Sequence, residues 1–187
     1  MIGKAESNTP ATVEDGGMAG TGNEELAAMV RRVIDDNVYM VLGTADADGR
    51  PWTSPVFFAA EGVRDFYWMS SPDVAHSQNL VHRPEVSIVL FDSRAAVGTG
   101  GKSALYMAGT AGMVPDDEIE HGVTVYPGPP ERGARAITAA DVQPPGRYRL
   151  YRATATEHFV LCPLEGGGVP CEEHGKAYDH RTRVEVR

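Results

Sequence analysis

Apolar residues recur along this chain with two different periods. Leu26, Met29, Val30, Val33 and Ile34 fall at i, i+3, i+4, i+7 and i+8, one stripe of an amphipathic helix. Asn23 just before them is a good N-cap, and Glu24 and Glu25 suit the positive end of a helix dipole, so order is expected to begin at Asn23. The period then shortens. Residues 39–45 are a short apolar run, residues 46–51 are dense in turn formers, and residues 52–60 complete a hairpin. Gly62 marks the next turn, and residues 65–70 read as an aromatic-rich strand. Two more strands are expected at 86–92 and 104–114, separated by a glycine-rich loop at 98–101, and a long last strand at 148–162. Helical pieces fit 73–83, stopped by Pro84, and 115–125, which opens with Pro and three acids; 138–142 can be one capped turn. Six strands without regular strand–helix alternation predict a mostly β fold, an antiparallel barrel with peripheral helices.

Residues 1–22 lack any apolar period and contain Gly3, Gly16, Gly17, Gly20 and Gly22. Such a segment cannot bury enough surface to offset its ordering entropy, so it reads as a flexible tail ahead of one domain over 23–187. The 187 residues are 42% hydrophobic and 23% charged, an ordinary globular mix. No apolar stretch approaches the roughly 20 residues of a membrane helix, and the start shows no basic-then-apolar leader. A net charge of -9 opposes nucleic acid as a partner, because phosphate neutralisation supplies most non-specific affinity there. Two cysteines, Cys162 and Cys171, are too few for a disulfide scaffold. The expectation is a cytoplasmic protein, bound to neither membrane nor nucleic acid.

Several stretches invite a chemical reading. Residues 96–103 nearly fit the phosphate loop ending in Gly-Lys-Ser, with Ala96 in place of the first glycine. That loop requires a helix to start at the Lys-Ser pair, whereas the sequence after Ser103 is β-like and carries Gly109 and Gly112. A hairpin connection fits better. His158, Cys162, Cys171 and His174 are zinc-ligand types, but His158 and Cys162 stand four apart on an expected strand, about 13 Å, where ligands must converge on one ion. A solvent-facing His158 and a packed Cys162 are the simpler expectation. No nucleophile elbow is present. Residues 65–80 remain: an aromatic strand runs into a hydroxyl-rich turn, Ser70-Ser71-Pro72-Asp73, and then a helix start carrying His76 and Ser77. Such a turn offers amides, hydroxyls and an imidazole to an anion beside a flat apolar wall.

The succession of residues 39–51, with Thr44-Ala45-Asp46 followed by Gly49-Arg50-Pro51, resembles the opening hairpin of the pyridoxamine 5'-phosphate oxidase-like, FMN-binding split-barrel family. The resemblance continues through residues 65–70, His76-Ser77-Gln78-Asn79-Leu80, Arg83-Pro84-Glu85-Val86 and residues 105–111. It implies a six-stranded antiparallel split barrel that forms a homodimer, with a flavin in each interfacial cleft. Carried over by position, Ser54, Pro55, Val56 and Phe57 would border the flavin ring. Met69, Ser70, Ser71, His76 and Ser77 would surround its phosphate, and Lys102 and Ser103 would lie near ring or phosphate across the interface. The family's flavin enzymes usually carry a basic residue on the second strand and Lys or Arg at the helix start. Here those places hold Ser54 and Val74-Ala75-His76, and the C-terminal signature of vitamin-salvage oxidases is missing from 175–187.

The resemblance therefore implies an FMN-dependent oxidoreductase acting on a small molecule, with no acid, base or nucleophile assigned. A deazaflavin coenzyme is the alternative cofactor, although its larger acidic tail finds no obvious cationic groove. A non-catalytic flavin- or heme-binding module is the alternative of a different class.

Overall fold

The computed structural model describes residues 20–94, 104–161, 176 and 180–186. The tail before Gly20, the glycine-rich loop with Lys102 and Ser103, and Cys162, Cys171 and His174 lie outside the described residues. Among the described residues eight strands form one sheet: β1 (Tyr39–Ala45), β2 (Pro51–Phe57), β3 (Ala59–Glu61), β4 (Asp65–Ser70), β5 (Glu85–Phe91), β6 (Ala104–Met113), β7 (Arg149–Leu161) and β8 (Arg181–Arg183). The order is β2-β1-β5-β6-β7-β4-β3, with β8 also on β7 and every pairing antiparallel. The helices are α1 (Gly20–Asp36), α2 (Ala75–His82), α3 (Ile119–Val125) and α4 (Ala139–Val142). This is the expected mostly β split barrel with peripheral helices. The six expected strands are all present, and the two additional segments are three residues each.

The hydrophobic residues fall into two cores on opposite faces of the sheet. Met40, Leu42, Phe58, Phe66, Trp68, Ile88, Leu90 and Leu105 fill the barrel interior, and Val30, Val33 and Ile34 of α1 pack onto them. On the other face of β3, β4 and β7, α3 and α4 bury Ile119, Tyr126 and Val142 against Tyr67 and Leu150. The first hairpin turns as its composition predicts. Asp46 Oδ1 accepts the amides of Asp48 and Arg50 at 3.0 and 2.9 Å, and Gly49 takes the left-handed φ of 84° that the turn requires.

Four sequence expectations are corrected. Helix α1 begins at Gly20 rather than at an Asn23 cap. The Asn23 carboxamide is engaged elsewhere: it donates to Glu185 O at 2.9 Å and accepts the Glu185 amide at 3.0 Å, imitating a strand partner. The second run is not one strand. The chain leaves β1 at Phe58, whose amide makes the last bond to Val38 O, and crosses to β4 as β3. Arg132 holds this corner, donating to Asn37 O at 2.9 Å and Phe58 O at 2.7 Å with its guanidinium over the Phe58 ring. The helix expected at 73–83 forms only over Ala75–His82, with its N-cap position at Val74 and no side-chain cap.

The fourth correction concerns His158, which is buried rather than solvent-facing. Up to Ala155 the odd positions of β7 face the barrel, as Tyr151, Ala153 and Ala155 show. The register against β6 shifts between Ala108 and Gly109, leaving Thr156 without a Cα partner. After this bulge the even positions face inward, His158 and Val160 included. Its ring Nε2 then lies 2.7 Å from Val63 O. Gly109 makes the bulge possible, since an added Cβ would stand 2.2 Å from Thr154 O.

Gly109→Ala should therefore destabilise the fold by roughly 1–3 kcal/mol, the usual cost of overpacking. Urea unfolding measures it. Gly112→Ala, whose added Cβ meets nothing within 4 Å, should leave the midpoint close to wild type.

Candidate functional site

Strands β2 and β4 lie far apart in the sheet order, yet one side chain connects them. His76, in the first turn of α2, places Nδ1 3.1 Å from Ser54 Oγ on β2 and Nε2 2.9 Å from Ser70 Oγ on β4. A neutral imidazole has one donor and one acceptor nitrogen, so one hydroxyl donates to the ring and the other accepts from it. His76 is only 8% exposed, and burial lowers its pKa from the ordinary 6.5. Burial favours the neutral ring, which bridges the two serines. One turn along α2, Asn79 Nδ2 donates to Thr44 Oγ1 at 3.0 Å, fixing the same helix face to β1. His76 and Asn79 are spaced i, i+3, so α2 docks through two buried polar contacts as well as Leu80.

Around this bridge lie other polar groups. Trp52 Nε1 donates to Ser54 Oγ at 3.2 Å, and the indole is 53% exposed. Ser71 Oγ accepts the Asp73 amide at 3.2 Å within the turn leading to α2. Ser77 is 2% exposed and its Oγ has no aligned hydrogen bond. Its polar neighbour is the Tyr151 phenol, which burial shifts to higher pKa and which Ser77 and Arg149 partly ease. Tyr151 stacks on Trp68 with ring centroids 5.5 Å apart.

The expected site residues divide. Ser54, Ser70, Ser71, His76 and Ser77 gather around the start of α2. Strand alternation separates the others. Ser54 and Val56 oppose Leu42 and Met40 on the barrel-facing side, where Val56 is core. Phe57 packs at 5.9 Å from each of the Tyr39 and Tyr126 rings, and Met69 packs against the second core. Pro55 is exposed on β2, a strand at the end of the sheet order. Since the Phe58 amide points to β1, the alternate residues Pro51, Thr53, Pro55 and Phe57 turn their nitrogens to the open edge. The two prolines leave donors there only at Thr53 and Phe57, which guards the edge against strand addition. Lys102 and Ser103 lie outside the described residues.

Two residues join the site that the sequence reading passed over. One is Trp52. The other is Arg149, which pairs directly with Ser70 in the β4–β7 ladder and so shares its face, as Trp68 does with the stacked Tyr151. Arg149 Nη1 donates to Gly146 O at 2.7 Å and Tyr148 O at 2.6 Å. The sequence signal was a charge on the inward phase of β7, two residues before Tyr151 and four before Ala153. Among the described residues no group of three or more His, Cys, Asp or Glu side chains could hold a metal ion. Nor does any described helix have the length and apolarity to cross a membrane.

Residues 26–162 match the family model for pyridoxamine 5'-phosphate oxidase. No curated protein matches the chain. Solved structures similar to it include the heme binding protein from Mycobacterium smegmatis, 20% identical with a TM-score of 0.57 over 84% of this chain and 57% of that one. A protein related to general stress protein 26, of the pyridoxinephosphate oxidase family, from Clostridium acetobutylicum is 10% identical, with a TM-score of 0.55 over 86% of this chain and 96% of its own. The heme storage protein from Vibrio cholerae is 20% identical, with a TM-score of 0.50 over 68% of this chain and 88% of its own. At such identities the likeness is one of fold.

The buried histidines set a pH dependence. Burial lowers the pKa of His76 and of His158 below 6.5, so the unfolded chain takes up protons at a higher pH than the folded one. Their contribution to stability is complete above the unfolded value and is lost as pH falls from there through the lowered folded value. Thermal unfolding should therefore shift to lower temperature between about pH 7 and about pH 5. His158→Gln should flatten part of that slope, and an unchanged slope would contradict the assignment.

Proposed function

The chain belongs to the pyridoxamine 5'-phosphate oxidase family, and from that premise we propose that it is a cytoplasmic FMN-dependent oxidoreductase acting on a small molecule. The observation that carries this reading is the gathering of Ser54, Ser70, Ser71, His76 and Ser77 where β2, β4 and the start of α2 meet. The donor set fits a phosphate ester: the hydroxyls of Ser70 and Ser71 and the amides at the start of α2. The half-exposed Trp52 indole beside Ser54 suits a flat aromatic ring, and the Thr53 and Phe57 amides suit that ring's polar edge. A bound flavin supplies hydride or electron transfer, and the protein supplies binding, orientation and electrostatics. In this reading Ser70 and Ser71 hold the phosphate, while His76 acts through Ser54 and Ser70 by fixing their hydroxyls.

The same reading takes the protein as a homodimer. By register, Tyr39, Val41, Val89, Phe91, Tyr106 and Phe159 lie on the outer face of β1, β5, β6 and β7, and Tyr39 and Phe91 are well exposed. A second copy over this face would bury them, as two-fold association commonly does. Lys102 and Ser103 are then the residues proposed to reach the cofactor across the interface.

Two measurements test the proposal. The visible spectrum of the purified protein, with mass spectrometry of what heat releases, should give flavin bands and the mass of FMN. A deazaflavin mass would redirect the cofactor, and a heme spectrum would favour a binding or storage role. Steady consumption of a reduced nicotinamide by the FMN-loaded protein is expected of the enzyme and not of a storage module. Sedimentation should report twice the chain mass.

A further inference from the structure

We propose that Arg149 is the cation that makes this site prefer a phosphate-bearing ligand, a role that rests on the flavin reading for its ligand but not for its chemistry. A phosphomonoester near Ser70 and Ser71 carries close to two negative charges, and neutral donors alone leave most of that charge unbalanced. The first turn of α2 offers no permanent cation: its residues are Ala75, His76 and Ser77 after Val74, and the His76 ring is buried with both nitrogens on serines. Asp73 adds a carboxylate close enough to raise the Tyr151 pKa, so the local field without Arg149 is hostile to an anion.

Arg149 answers this from the opposite strand. It is the direct partner of Ser70, and facing side chains of such a pair have Cβ atoms about 4.5–5.5 Å apart. Its field reaches Tyr151 in the opposite sense to that of Asp73, which places both charges around one phenol. No ion pair joins Arg149 to Asp73 or to any other acid among the described residues. The two Nη1 bonds to Gly146 O and Tyr148 O pin one arm of the guanidinium to its own loop. No hydrogen bond from Nε or Nη2 is formed among the described residues, so part of the fork remains for an oxyanion, the geometry in which Arg excels.

The experiment is a titration of FMN and of riboflavin by flavin fluorescence into wild type, Arg149→Gln, Arg149→Lys and Asp73→Asn. Losing one charge-assisted hydrogen bond should weaken FMN binding in Arg149→Gln by about tenfold to a hundredfold. Riboflavin, which lacks the phosphate, should change little. Arg149→Lys should keep part of the preference, and Asp73→Asn should tighten FMN. Equal losses for FMN and riboflavin, or no loss for FMN, would overturn the role of Arg149 while leaving flavin binding intact. If wild type binds neither flavin, the flavin reading fails, and inorganic phosphate becomes the probe. Wild type should then gain thermal stability with phosphate and Arg149→Gln should not; equal gains, or none, overturn Arg149 as well. Unliganded melting of each variant separates a loosened strand from a lost charge.

Discussion

The sheet runs from β2 at one end to β4 and β3 at the other; the chain joins these ends at Phe58, and the His76 imidazole bridges them between Ser54 and Ser70. His76 does this because α2 carries it across the gap between Ser54 and Ser70. Each neutral hydrogen bond contributes only about 1 kcal/mol, but losing the ring would take a partner from two half-buried serine hydroxyls at once. Burial keeps the ring uncharged, and an uncharged ring can satisfy one donor and one acceptor at once. The bridge fixes the aim of both serines and, with the Asn79–Thr44 bond and Leu80, the position of α2.

Local patterning made most of the fold legible. Strand β1 and strand β4 fall where alternation and aromatic content place them, and β7 is long because its inward phase is apolar over many residues. What stayed hidden depends on contacts distant in sequence. Nothing near Phe58 announces that the strand ends there, because the break is held by Arg132, 74 positions away. Asn23 looks like a helix cap, and only the arrival of Glu185 turns its carboxamide to another use. His158 seemed to face solvent because strict alternation was extrapolated through a bulge that Gly109 on a neighbouring strand permits. The candidate site divides the same way. Its hydroxyl-rich turn was visible as a run of residues, whereas Arg149 enters from a strand nearly 80 positions later.

The polarity of the site also bears on its ligands. The hydroxyls, helix amides and neutral ring around the start of α2 carry no permanent charge, so the countercharge for an anion there would have to come from outside α2. The same polarity engages the two buried histidines. Both nitrogens of His76 are occupied by serines, and Nε2 of His158 is on a backbone oxygen. Iron ligation through either of those bonded nitrogens would first break a buried hydrogen bond.

The most direct test of the neutral bridge is the protonation of His76 itself, read by nitrogen NMR of histidine-labelled protein across pH and assigned with His76→Gln. The account predicts ring shifts of a neutral, hydrogen-bonded imidazole down to a pH below 6.5, in the folded protein without ligand. A His76 that is already an imidazolium at pH 7 would contradict it.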